Sequence, residues 1–162
     1  MLTVDVMGVR LQLPDNAPVV LLKERDGERV LPIWIGAAEA AAIAFGLEGQ
    51  RPERPLTHDL LIDILTSGGV DLERVEITSM VEHVFFADLV LNDGRRVSAR
   101  PSDAVALAVR VGCPVQVAAE VMDDAGIVAP LEDEEATPEV DLEQFRAFLD
   151  SVSPEDFGQS ES

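Results

Sequence analysis

The feature that most constrains the fold is a repeated pattern. Predicted strands joined by a tight turn are followed by a helix of small residues, and this succession occurs twice. In the first copy, an Asp-Gly turn at 26–27 separates two apolar runs and is followed by an alanine-rich run over 37–47. In the second copy, a turn at 92–94 precedes a short apolar run and a small-residue helix beginning near position 101. Asp-Gly between apolar runs indicates a hairpin, and a helix that is apolar on nearly all sides is buried. The pattern predicts an α+β fold of duplicated strands-then-helix units, with mixed or antiparallel sheets around buried Ala-rich helices.

The other segments complete this outline. Alternating apolar residues over 3–13 predict a strand, with a kink at Gly8 where the phase changes. Thr57 is a candidate N-cap for a helix over 58–66. Its predicted core stripe consists of Leu60, Leu61, Ile64 and Leu65. The pattern over 115–121 predicts a last strand, and the pattern over 122–127 predicts a closing turn. Trp34 and most of the phenylalanines lie in apolar runs, which favours a place in the core.

Length and charge distribution predict one folded domain with an appendage. The chain has 162 residues, of which 47% are hydrophobic, enough for one ordinary core. From position 130 onward the sequence carries 11 acidic residues and one basic residue, against 20 acidic and 11 basic residues before it. We therefore expect an α+β domain over 1–128, an acidic linker over 129–137, and an amphipathic helix with a disordered acidic tail over 138–162.

The net charge of −19 limits the classes of partner. Bulk attraction to nucleic acid or to an anionic membrane is excluded, because such attraction comes from many lysines and arginines. Cys113 is the single cysteine, which excludes a disulfide framework and a cysteine metal site. No segment has the length of a membrane span and no leader pattern precedes the first strand, so we expect no membrane association and a cytoplasmic location.

Polar residues gather at one strand-to-helix junction, over positions 100–103. Arg100, Pro101, Ser102 and Asp103 stand side by side where a helix begins, and the positive end of the helix dipole favours anions there. Three interpretations stay open at this point. The junction can hold reacting groups, it can bind a small anion or a partner carboxylate without catalysis, or it can be structural. In the structural case Ser102 or Asp103 caps the helix, and Arg100 pairs with a carboxylate such as Glu39 or Asp59.

Two further acidic positions belong to the same question. The duplication makes Glu39 equivalent to Asp103, so that the two carboxylates either face one another across a pseudo-twofold axis or each satisfy their own helix dipole. His58 and Asp59 fall in the first turn of another predicted helix. That pair can serve in a site or form only a local capping network.

Three blocks in this order resemble the signature blocks of the bifunctional nuclease (BFN) domain family over roughly residues 1–128. They are LPIWIG at 31–36 followed by Glu39, RPLTHDL at 54–60, and ARPSDA at 99–104. The segment over 145–157 is similar to the tail of bacterial members. The resemblance implies a duplicated α+β fold, cleavage of both RNA and DNA, and a homo-oligomer, with a dimer favoured.

The resemblance implies no agreed catalytic mechanism, so the residues that match the blocks are candidates ranked by their chemistry. Asp103, His58, Asp59 and Glu39 are the catalytic candidates, with His58 as general acid or base. Asp103, Glu39 and Asp59 are the carboxylates able to hold a divalent ion such as Mg²⁺ or Mn²⁺. Arg100, Ser102 and Arg54 are the candidates for contacts to the nucleic-acid substrate. The alternative to a nuclease is a non-catalytic binding or regulatory domain that recognises a small anion or protein at the junction from Arg100 to Asp103.

Overall fold

The computed structural model of the protein describes residues 1–128. The predicted linker over 129–137 and the predicted amphipathic helix and tail over 138–162 lie outside these residues. Twelve elements occur in the described part, in the order β1 (Leu2–Gln12), β2 (Ala17–Glu24), β3 (Arg29–Trp34), α1 (Ala37–Leu47), α2 (Thr57–Ser67), β4 (Leu72–Val81), β5 (Val84–Leu91), β6 (Arg96–Ala99), α3 (Pro101–Val111), β7 (Val115–Val117), α4 (Ala119–Ala125) and β8 (Ile127–Val128). The α+β class is confirmed.

The strands form one mixed sheet with the order β6-β5-β4-β7-β1-β2-β3-β8. Each half contains a three-stranded antiparallel meander, β1–β3 or β4–β6, and each meander is followed by a helix, α1 or α3. The predicted duplication is therefore visible in the sheet order. Strand β7 joins the halves, since it pairs antiparallel with β1 and parallel with β4.

Glycine and proline positions and a tight turn shape the backbone locally. The register of β1 against β2 shifts between Val6 and Gly8, and Gly8 adopts a φ of 124°, which a side chain would disfavour. Helix α3 begins with Pro101 at its first position and ends at Gly112 in the left-handed conformation. The turn between β4 and β5 places Glu82 and His83 at positive φ, as in the tight hairpin turns that match strand twist.

The core lies between the sheet and the helices. Helix α1 packs over β1 and β2, α3 packs over β4 and β5, and the two helices contact one another. The largest fully buried side chains come from both halves and include Leu22, Leu31, Ile43, Ile77, Leu107 and Met122. Helix α3 is the most enclosed helix of the described residues, since Ser102 and every residue over 104–108 are buried.

Three expectations about secondary structure and burial are wrong. Residues 119–125 form α4 rather than strand and turn, and β8 then pairs with β3. The apolar side chains of α2 do not form a core stripe, because Leu60, Leu61 and Ile64 are 40–57% exposed and Asp59 is the one buried residue of the helix. Trp34 is 57% exposed, because β3 alternates and its inward positions are taken by Leu31 and Ile33.

Candidate functional site

His58 and Asp103 meet between two helices. His58 lies in the first turn of α2 and Asp103 in the first turn of α3, and the Nε2 atom of His58 is 3.0 Å from Oδ1 of Asp103. Within residues 1–128, Nδ1 of the same ring has no hydrogen-bond partner. One nitrogen of the imidazole is thus held by a carboxylate, and the other carries no hydrogen bond in this part of the chain.

Arg100 connects the two carboxylates that the duplication makes equivalent. Its Nε donates to Oδ2 of Asp103 at 2.7 Å, and its Nη2 lies 3.0 Å from Oε1 of Glu39. Glu39 reaches this position because Gly36, the N-cap of α1, leaves room for its carboxylate over the first turn. The third nitrogen of the guanidinium, Nη1, has no partner in the part of the chain that the structure describes. The side chain of Arg100 is 66% exposed and can contact a ligand without releasing both carboxylates.

The surroundings of Asp103 keep its carboxylate charged. Partial burial acts to raise the pKa, but the hydrogen bonds from Arg100 and His58 outweigh it and hold the pKa of Asp103 below its usual value. At neutral pH the His58–Asp103 pair therefore contains an ionised carboxylate. Such a group holds the imidazole in one orientation through Nε2.

Asp59 does not join this cluster through its carboxylate. Its Oδ1 accepts a hydrogen bond from Nε of Arg110 at 2.9 Å, and its Oδ2 accepts one from the backbone N–H of Leu56 at 3.0 Å. Both side chains of the pair are 9% exposed. Arg110 also donates to the carbonyl oxygens of Ala42 and Ala106, so this buried ion pair ties α2 to α1 and α3. Leu56 is the N-cap of α2, one residue before the predicted Thr57.

His58 and Asp103 line an open cleft of about 340 Å³, which we call the dyad cleft after this pair. Glu39, Arg100 and Arg110 also line it. Arg110 is not among the residues predicted from the sequence. The signal that could have indicated it is a basic residue in the last turn of a helix predicted to be buried. The cleft therefore combines an imidazole, two guanidinium groups and two carboxylates.

A second cleft, of about 460 Å³, also has Arg100 in its lining, and we call it the Trp34 cleft. Trp34, His83 and Phe85 provide its ring side chains, and Ser102 lines it as a buried residue. Arg54 is exposed and has neither a hydrogen bond nor an ion pair among residues 1–128. It lies two positions before Leu56, a lining residue of the dyad cleft. Of the three predicted substrate contacts, Arg100 is thus the one that lines both clefts.

The carboxylates do not fit a divalent ion in this arrangement. Both oxygens of Asp59 and both oxygens of Asp103 already accept hydrogen bonds, and Glu39 is paired with Arg100. Residues 1–128 contain no group of three or more His, Cys, Asp or Glu side chains placed to hold a metal ion. A Mg²⁺ or Mn²⁺ ion needs several oxygen ligands that cations do not already occupy. The predicted metal set of Asp103, Glu39 and Asp59 is therefore not assembled here.

The comparisons with known proteins agree with the three sequence blocks. The bifunctional nuclease domain matches residues 20–130. An uncharacterized protein of Mycobacterium tuberculosis is 51% identical over 158 residues, which cover 95% of this chain and 96% of that protein. Bifunctional nuclease 2 of Arabidopsis thaliana is 30% identical over 114 residues, which cover 65% of this chain and 35% of the plant protein. Bifunctional nuclease of Oryza minuta is 29% identical over 126 residues, covering 72% of this chain and 38% of that protein.

The shared region is thus little more than a third of the length of either plant protein and most of the described domain of this one. Among residues 1–128, no helix has both the length and the hydropathy that crossing a bilayer requires. The blocks at 31–36, 54–60 and 99–104 fall within the matched region, and the last two carry His58, Arg100 and Asp103 of the dyad cleft. The chain belongs to the bifunctional nuclease domain family.

Proposed function

We propose that this chain hydrolyses phosphodiester bonds in RNA and DNA at the dyad cleft. The observation that carries the proposal is the His58–Asp103 pair at 3.0 Å beside the guanidinium of Arg100. An imidazole oriented by a carboxylate is a general acid or base, and a nearby guanidinium compensates charge on a phosphoryl group. Phosphodiester hydrolysis needs both proton transfer, which activates the nucleophile, and compensation of the charge that develops on the phosphoryl oxygens.

The proposed step uses His58 as the group that moves a proton. A water oxygen attacks phosphorus while Nδ1 of His58 accepts one of its protons, so that a new P–O bond forms. The bond from phosphorus to one sugar oxygen breaks, and the imidazolium returns the proton to that oxygen. Asp103 stabilises the imidazolium through Nε2, at 3.0 Å, and keeps the ring in one orientation.

Arg100 is the proposed contact to the phosphate. Its Nη1 is the donor available to a phosphoryl oxygen, while Nε and Nη2 stay with Asp103 and Glu39. A guanidinium already fixed by two carboxylates loses little conformational freedom when it binds, which favours this role. Arg54 and Ser102 are the further proposed contacts, because Ser102 lines the Trp34 cleft and Arg54 lies two positions before Leu56, a lining residue of the dyad cleft.

Dependence on Mg²⁺ or Mn²⁺ stays a prediction from the family. The carboxylates of Glu39, Asp103 and Asp59 are each paired with an arginine in this arrangement, so we route no step through a metal. Activity of the purified full chain in EDTA, and after addition of each ion in turn, measures this directly. The experiment needs no assumption about which carboxylates move.

The decisive experiment is cleavage of labelled RNA and DNA strands by His58→Asn, Asp103→Asn and the unchanged chain. Loss of general acid–base catalysis lowers kcat by roughly 10²- to 10⁴-fold. Asp63→Asn is the matched control, because it removes an aspartate from α2 that is 53% exposed and outside the dyad cleft. Equal cleavage by Asp103→Asn and by the unchanged chain would contradict the proposal and indicate a contaminating nuclease or another site.

The binding-domain alternative predicts a different result in the same preparation. A chain that cleaves neither RNA nor DNA, yet binds inorganic phosphate or a short oligonucleotide and loses this binding in Arg100→Gln, is a recognition domain. The structural alternative predicts that Arg100→Gln lowers the melting temperature with no change in ligand binding. The exposed Arg100 side chain favours recognition over a purely structural role.

We further propose that the chain forms a homodimer and acts in the cytoplasm. The exposed apolar side chains of α2, including Leu60, Leu61 and Ile64, support self-association, since a large exposed apolar patch is unfavourable in a monomer. Light scattering at micromolar concentration tests the first statement, and a monomeric mass would contradict it. Fractionation of cells that produce the chain tests the second.

A further inference from the structure

Trp34 is an exposed tryptophan at the rim of the Trp34 cleft. Trp34 is 57% exposed, and its indole Nε1 donates a hydrogen bond to Oε1 of Gln12 at 2.9 Å. This bond fixes the orientation of the ring and satisfies its one polar atom. A large aromatic surface is thus held towards solvent rather than buried, although burial would contribute favourably to folding.

The lining of the Trp34 cleft differs in charge from the rest of the chain. None of its lining residues is an aspartate or a glutamate, whereas the chain as a whole carries 31 acidic residues. Its ring side chains are the indole of Trp34, the phenyl group of Phe85 and the imidazole of His83, and its cation is Arg100. Aromatic rings beside a guanidinium are the groups that contact bases and phosphates of a nucleic-acid strand.

Arg100 places this cleft next to the dyad cleft. Arg100 lines both clefts, with Asp103 and His58 in the lining of one and the Trp34 rings in the lining of the other. A phosphate bound at Arg100 would therefore adjoin the linings of both clefts. The two clefts are neighbours that share one cation.

We propose that the Trp34 cleft is a nucleobase-binding subsite in which an unpaired base stacks on Trp34, and that it makes the chain selective for single-stranded nucleic acid. The inference rests on the proposed function of the dyad cleft and specifies its substrate class. In a duplex the faces of each base are covered by neighbouring bases, so the indole can stack only on a base that is out of the helix. Stacking tolerates any base, which agrees with action on both RNA and DNA.

Trp34 is the single tryptophan of the chain, so its fluorescence reports on this subsite alone. The first measurement is a titration of the full-length chain with a ten-nucleotide oligothymidylate that carries a phosphorothioate backbone to slow cleavage. We expect quenching of Trp34 by the single strand, and no quenching by a duplex of the same length or by inorganic phosphate. Equal quenching by duplex and single strand would overturn the proposal.

The second measurement compares the cleavage kinetics of Trp34→Ala and Trp34→Phe. Loss of one stacked base weakens binding roughly tenfold, so Trp34→Ala should raise KM for a single strand by about that factor with kcat kept, while Trp34→Phe retains part of the effect. Phe86→Ala is the matched control, because Phe86 is 44% exposed on β5 and its side chain alternates to the face opposite Phe85. Melting temperatures establish that each variant is folded.

The outcomes separate this proposal from the function of the dyad cleft. Cleavage by the unchanged chain with an unaltered KM in Trp34→Ala overturns the subsite and leaves the nuclease standing. Selective quenching by single strands without any cleavage supports the subsite and overturns the nuclease. Absence of both cleavage and quenching overturns both.

Discussion

Nε2 of His58 lies 3.0 Å from Oδ1 of Asp103, although 45 residues separate them in the chain. The contact exists because α2 packs against α3 with the first turns of both helices at the same end of the cleft. Arg100, one helical turn before Asp103, holds the other oxygen of that carboxylate. The carboxylate therefore links an imidazole and a guanidinium from two separate elements.

Asp103→Asn should flatten the acid limb of the stability curve. The pKa of Asp103 is lower in the folded chain than its usual value, so the folded chain binds fewer protons than the unfolded chain in this range. The stabilisation is complete above about pH 4 and is lost as the pH falls through the folded-state pKa. Urea unfolding followed by Trp34 fluorescence between pH 2 and pH 7 measures it. An acid limb as steep as that of the unchanged chain would show that Asp103 is not stabilised by His58 and Arg100.

Arg110→Ala should destabilise the domain strongly. The substitution leaves the carboxylate of Asp59 buried without its cation, which costs about 3–5 kcal/mol in the free energy of unfolding. Arg51→Ala is the control, because Arg51 is 76% exposed and lies 4.0 Å from Asp63, a surface pair worth less than about 1 kcal/mol. Urea unfolding of the two variants gives the difference, and similar losses in both would contradict the structural role of the buried pair.

Gly46→Ala should destabilise the domain even though alanine is the better helix former by about 1 kcal/mol. A Cβ atom at position 46 would lie 2.5 Å from Cγ2 of Val109 and 3.0 Å from Nη1 of Arg110, so α1 and α3 would have to move apart. Such overpacking costs about 1–3 kcal/mol. The double variant Gly46→Ala/Val109→Ala should recover part of the loss in thermal unfolding, since it removes the nearer clash. A gain in stability in Gly46→Ala would mean that the helices are not in close contact there.

Cys113 should resist alkylation in the folded chain. Burial raises the pKa of its thiol from 9.0 to about 11, which lowers the thiolate fraction at neutral pH about a hundredfold. Reaction with iodoacetamide at pH 8, followed by mass spectrometry, should therefore be slow, and should reach the rate of an ordinary cysteine once urea unfolds the domain. Equal rates with and without urea would contradict this environment for Cys113.

The sequence by itself determined the elements that local signals delimit. The predicted helix over 37–47 has the bounds of α1, and the helix predicted to begin near position 101 begins at Pro101 and ends at Gly112 in the left-handed conformation. These are confirmed because glycine, proline and Asp-Gly turns restrict the backbone of the few residues around them, whatever the rest of the chain does. The three sequence blocks also indicate the family, because they depend on residue identity and order rather than on contacts.

Only the tertiary structure decided which partner each charged or aromatic side chain has. Asp59 and Asp103 both stand in the first turn of a helix, yet one is buried against Arg110 and the other shares His58 and Arg100. Trp34 follows an apolar run but points out of the core, and the apolar side of α2 faces outward. Periodicity tells which residues share a face, but which face is covered depends on elements distant in the chain, and so does the pairing of charges.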